Sequence, residues 1–134
     1  MDTDTLRHQH DNISIAADEL ADAVRNPGKP RPVATLRWRL ARQLLAHLAV
    51  EDRFLYPSMI TRGGDAGRTA QRFQNEMGNL GEAFASYMSA WNEARIQREW
   101  AVFCGETGII LAALAERIDR ENDILYPLAG RSAA

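Results

Sequence analysis

Cysteine is nearly missing from this chain. Cys104 is the single one, so no internal disulfide can form and nothing marks an oxidising compartment. Long apolar runs are missing as well: the longest uncharged one, residues 108–115, falls far short of the roughly 20 residues that a membrane-spanning helix needs. The N-terminal stretch MDTDTLRHQHD has no apolar signal core. The expectation is a soluble, cytoplasmic protein with no membrane among its partners. Neither sign of charge dominates, since 16 basic and 18 acidic side chains leave a net charge of -2, and no nucleic acid is expected to be drawn to the chain as a whole. A glycine-rich phosphate loop, a nucleophile elbow and a Cys-x-x-Cys pair are also missing, so no residue is nominated as catalytic.

What is present is a repeat. Glu51-Asp-Arg-Phe-Leu-Tyr-Pro57 returns as Glu121-Asn-Asp-Ile-Leu-Tyr-Pro127, so the chain reads as two copies of one helical unit. The copies differ four residues upstream of the glutamate, where the first has His47 and the second Arg117. Imidazole can ligate a metal; guanidinium has donors only.

Apolar residues recur at steps of three and four in four segments, and period-two alternation is nowhere sustained, so the fold class is all-α. The first helix is expected from about residue 4 to 25, before Asn26-Pro27-Gly28. The second runs from near Pro32 to Gly63-Gly64, the third from about 66 to 94 and the fourth from about 97 to 128. Short connections make neighbours antiparallel, in an up-down-up-down four-helix bundle. A chain of this length buries about two thirds of its unfolded surface in one core, so one domain over residues 1–134 is expected. Pro57 and Pro127 fall inside helical patterns and predict a kink or an irregular last turn. Trp91 and Trp100 are expected to pack at the end of the bundle, with Cys104 half-buried.

His10, His47, Glu51, Arg117 and Glu121 share stripes that otherwise carry Leu, Ile and Phe. Burying such groups without partners costs several kcal/mol each, of order ~3 or more, so they are expected to meet one another. His47 and Glu51 are spaced i, i+4, as are Arg117 and Glu121, and each pair projects from one side of its helix. His8 falls on a different face and is expected at the surface.

These motifs resemble the hemerythrin-like, or HHE cation-binding, domain: a histidine in the first helix, His-x-x-x-Glu with a following Leu-Tyr-Pro in the second, and a repeat in the second half. The resemblance implies a four-helix bundle around a non-haem di-iron centre that binds oxygen or nitric oxide or serves in iron sensing. It assigns His10, His47, Glu51 and Glu121 to metal-ligand positions. Met77, after Glu76, and Arg117 stand where the family carries histidine. Arg117 is read as an internal substitute for metal charge, bridging Glu51 and Glu121, with a proton on His10 or His47 completing neutrality. Two functions follow. One is a metal-free or metal-poor binding or regulatory module with no cofactor; the alternative is a non-haem iron protein, mononuclear or di-iron, that binds oxygen or nitric oxide or senses iron or redox state.

Acidic residues are missing over residues 23–50, where Lys29, Arg31, Arg37, Arg39 and Arg42 gather around Trp38. Such a cluster at a helix start favours an anion. It is a candidate patch for a small anionic ligand or a protein partner, on a monomer or homodimer; the alternative is a solvated positive face.

Overall fold

The computed structural model describes residues 2–130; residue 1 and residues 131–134 of the expected domain lie outside the described residues. Helix α1, Thr3–Ala23, is capped by the Asp2 carboxylate, which accepts from the Asp4 N–H at 2.9 Å. Helix α2, Ala34–Val50, passes through a π turn, π1, Glu51–Leu55, into α3, Tyr56–Arg62. Gly63 and Gly64, at φ 71° and 65°, adopt the left-handed conformation that glycine tolerates and reverse the chain. The return passes through α4, Gly64–Met77, and α5, Leu80–Ala90, and after a short helix α6, Glu93–Arg98, comes α7, Trp100–Arg120. A second π turn, π2, Glu121–Leu125, leads into α8, Tyr126–Ala129.

Helix α1 packs against α2 and α7, and α5 packs against the same two, which closes the ring of a helical bundle. No strand occurs among the described residues. One apolar cluster contains Leu20, Leu40, Phe84 and Phe103, and a second contains Leu6, Leu55, Phe73 and Leu125. His10 on α1, His47 on α2, Arg117 on α7 and the two glutamates that follow α2 and α7 fall where one cluster gives way to the other, so they meet at one level.

Three boundaries differ from the sequence expectation. The third helix is interrupted after Met77: the Gly78 N–H still bonds to the Gln74 carbonyl at 2.9 Å, but Asn79, at φ -92°, ψ 4°, leaves helical geometry before α5. It ends at Ala90 rather than near 94; Asn92 then caps α6 by accepting from the Arg95 N–H at 2.8 Å. The fourth rod starts at Trp100, since Glu99 leaves helical geometry at φ -124°, ψ 42°.

Pro57 and Pro127 do not end their helices. Each lacks an N–H, and its ring would crowd the carbonyl four residues back. In both copies the π turn shifts the bonding register just before the proline: the Tyr56 N–H bonds to the Glu51 carbonyl, and the Tyr126 N–H to that of Glu121. At the far end Trp91 and Trp100 pack edgewise or tilted on Phe103, with ring centroids 5.4 and 5.6 Å away, as expected of end-of-bundle aromatics. Cys104 is more buried than expected, at 6% exposure, and burial pushes its thiol up, away from the reactive thiolate.

Candidate metal centre

His10 comes from α1, His47 from α2, and Glu51 and Glu121 are the first residues of π1 and π2. All four are buried, and one ligand atom from each lies within 4.8 Å of the others. Neighbours fix the imidazoles: His47 Nδ1 is 2.7 Å from Gln9 Oε1, and His10 Nδ1 is 2.8 Å from Asn122 Oδ1. With an N–H at each Nδ1, the Nε2 lone pairs turn inward, the arrangement by which outer groups orient metal-binding histidines. There His10 Nε2 lies 3.1 Å from Glu121 Oε1, and His47 Nε2 lies 3.1 Å from Glu51 Oε1.

Arg117 enters the same space, 1% exposed. Its Nε donates to Glu121 Oε2 at 2.9 Å, and its Nη2 to Asp52 Oδ1 at 2.8 Å and, more weakly, to Glu51 Oε1 at 3.4 Å. Nη1 donates to the Met77 carbonyl at 3.3 Å, an oxygen left without its helical partner by the break at Gly78. The Met77 side chain joins the second apolar cluster. Two tyrosines complete the set in crossed fashion: the Tyr56 hydroxyl donates to Glu121 Oε2 at 2.7 Å and the Tyr126 hydroxyl to Glu51 Oε2 at 2.5 Å.

At His47 charge settles differently from the sequence expectation. Burial pushes the His47 imidazole down to about 4, with Arg117 adding to the shift against the opposing pull of Glu121 and Asp52, so His47 carries no compensating proton at neutral pH. Burial and the neighbouring Glu121 raise Glu51 well above the usual carboxylate range. Burial also opposes ionisation of Glu121, but the adjoining His10 ring, the Arg117 charge and the Tyr56 hydroxyl hold it down at about 2. The shorter guanidinium contact agrees, falling on Glu121. One proton on Glu51, one charge on Glu121 and one on Arg117 therefore balance inside the bundle, and Asp52 meets the guanidinium from the rim.

These residues do not fit a two-metal centre. The guanidinium fills the space beside both carboxylates, it repels cations, and Met77 supplies only a hydrophobic filler there. They do fit one ion. His47 Nε2 and Glu121 Oε1 are buried without a hydrogen-bond partner among the described residues. Their carboxylate and imidazole neighbours are near in distance but poorly aligned. Two imidazoles and two carboxylates suit a divalent first-row metal.

Residues 1–129 match the family model of the hemerythrin HHE cation-binding domain. The chain belongs to this family. No curated protein and no solved structure matches it. Within this HHE domain His10, His47, Glu51 and Glu121 come together and are buried, but their supports were missed in the sequence. Asp52 and Asn122 directly follow the two glutamates, and Tyr56 and Tyr126 sit in the repeated Leu-Tyr-Pro, so the repeat itself was the available signal. Gln9 carried none. His8 is exposed, as expected.

The basic patch does not assemble as expected. Arg37 is 3% exposed; its Nη1 donates to the Trp91 carbonyl at 3.0 Å and its guanidinium lies 5.0 Å from the Tyr87 ring centre. Its place on the inner face of α2, beside Leu40 and Leu44, decides this. Arg39 pairs with Glu19, and Arg31 with Asp22 at 3.4 Å, so α1 supplies the acids that residues 23–50 lack. Lys29, Trp38 and Arg42 are exposed. No helix among the described residues is long and apolar enough to cross a membrane.

Proposed function

We propose that this HHE domain is a metal-poor binding or regulatory module, in which Arg117 supplies the positive charge that a second metal ion would otherwise bring. The observation that carries this reading is the buried guanidinium hydrogen-bonded to Glu121, Glu51, Asp52 and the Met77 carbonyl. With Glu51 protonated the core is neutral by its own residues, so no cation is required for the fold.

A second reading, favoured by the unpartnered His47 Nε2 and Glu121 Oε1, keeps a single iron ion, with His10, His47, Glu51 and Glu121 as ligands. Bound iron would supply a Lewis acid and a one-electron redox centre for oxygen or nitric oxide. Arg117 would then hold Glu121 in place and balance its charge, Gln9 and Asn122 would orient the imidazoles, and the tyrosines would exclude water. Loading with ferrous iron under argon, followed by mass-spectrometric metal analysis, separates the readings. A metal content far below one per chain is expected from the first. One ion per chain, lost on His47→Ala, would establish the second, and two per chain would overturn both.

A further inference from the structure

We propose that the cleft between α1 and α2 is a ligand site for a small uncharged molecule carrying an N–H or O–H donor, and that binding there is felt at His47. The proposal rests on the reading of the domain as a binding or regulatory module and names the class of molecule bound.

The cleft measures about 290 Å³ and is lined by Gln9, Asn12, Ile13, Gln43, Ala46, His47 and Val50, at the lower end of the range of small-molecule pockets. None of these is an acid, a lysine or an arginine. A charged ligand would leave its solvation shell without gaining a counter-charge, so the lining selects for neutrality. Ile13, Ala46 and Val50 provide apolar contact, while Gln9, Asn12 and Gln43 offer carboxamides. Gln43 Oε1 is buried and has no hydrogen-bond partner among the described residues. The Gln43 carboxamide, unsatisfied where it lies, gains a partner by turning toward a donor in the cleft.

His47 is 3% exposed, yet it belongs to the lining. Its Nδ1 side is occupied by Gln9 at 2.7 Å, and its other side lies 3.1 Å from Glu51. Gln9 is thus both a wall of the cleft and the group that fixes the imidazole. An occupant that moves the Gln9 amide also moves the ring that touches the buried Glu51. The cleft and the Arg117 cluster are therefore joined by one hydrogen bond and one side chain, the physical link a ligand-responsive module requires.

The test uses the full chain and three probes of one size: benzamide, benzoate and benzylammonium. Titration is followed by calorimetry and by the side-chain NMR signals of His47. Benzamide is expected to saturate with a Kd of ~1 mM or tighter and to shift the His47 signals. Benzoate and benzylammonium are expected to bind about tenfold more weakly or not at all, about 1.4 kcal/mol. Ala46→Trp, an exposed position on the cleft, should weaken benzamide at least ~10-fold while leaving the melting temperature in place; Ala46→Gln serves if the tryptophan perturbs folding. Absence of saturation by benzamide, equal binding of the charged probes, or binding indifferent to both substitutions would each overturn the assignment. Metal analysis on the same sample keeps the two questions apart: low metal with no benzamide binding removes the cleft and leaves the arginine reading intact, whereas two irons per chain removes the arginine reading.

Discussion

Arg117 and Arg37 are both buried arginines on inner helix faces, but their surroundings give them opposite energetic roles. Arg117 holds Glu121 and Glu51; replacing it by Met would leave the ionised Glu121 without its counter-charge in a low-dielectric interior. Among the described residues Arg37 has one carbonyl partner, its Nε and Nη2 have none, and it lies against the Tyr87 and Phe103 rings. Removing one partner of a buried ion pair costs about 3–5 kcal/mol, while replacing a poorly satisfied buried ion by an apolar chain is often neutral or better. Urea unfolding should therefore show Arg117→Met less stable by about that much, and Arg37→Met unchanged or more stable. Equal losses in the two variants would contradict the charge assignment.

The pH dependence of stability belongs to the same scale. Between about 4 and the ordinary 6.5 the unfolded His47 binds a proton that the folded one refuses, so its contribution rises with pH, by about 3 kcal/mol over that window. Glu51 acts oppositely. Its folded pKa lies above 4.5, so the folded chain keeps a proton that the unfolded chain loses, and stability falls as pH rises. The two slopes offset each other. Glu51→Gln removes the falling limb, and its melting temperature should climb more steeply than that of the parent between pH 4.5 and 6.5. Identical slopes would place the shared proton elsewhere.

At the scale of elements, the irregularities lie where the site needs them. Both π turns begin at the buried glutamates and end before the tyrosines, so one extra residue per turn aims Glu51 and Tyr56, and likewise Glu121 and Tyr126, into the core. Pro57 and Pro127 announced an irregularity in the sequence; its form depended on the carbonyl that each ring would otherwise strike. The break after Met77 had only Gly78 as a local cue. A Cβ there would stand 2.3 Å from the Gln74 carbonyl oxygen, whereas one on Gly105, within α7, meets nothing within 4 Å. Gly78→Ala should then cost about 1–3 kcal/mol, and Gly105→Ala should gain up to ~1 kcal/mol, both read from chemical denaturation.

For the whole molecule, the repeat halves are interlocked: the tyrosine of each copy donates to the glutamate of the other, and Arg117 of the second copy reaches Glu51 and Asp52 of the first. The second half holds Glu121 through its own Arg117, whereas Glu51 of the first half takes its tyrosine and guanidinium donors from the second. Fragments 1–63 and 64–134, divided at the exposed Gly63-Gly64 turn, should be weakly helical alone by circular dichroism and recover helicity when mixed in equal amounts. Full helicity in either fragment alone would show that the cross-half contacts are dispensable.

The helical class, the repeat, the shared faces of His47 with Glu51 and of Arg117 with Glu121, and the need of those residues for one another were all legible in the chain, because spacing along a helix is local and burial of unpaired charge is costly anywhere. Which carboxylate holds the proton, that Asp52 and the Met77 carbonyl share the guanidinium, that Arg37 turns into the core and that Gln9 reaches His47 were decided only by tertiary structure. Those outcomes depend on distances between rods of the bundle and on how far each group is removed from water.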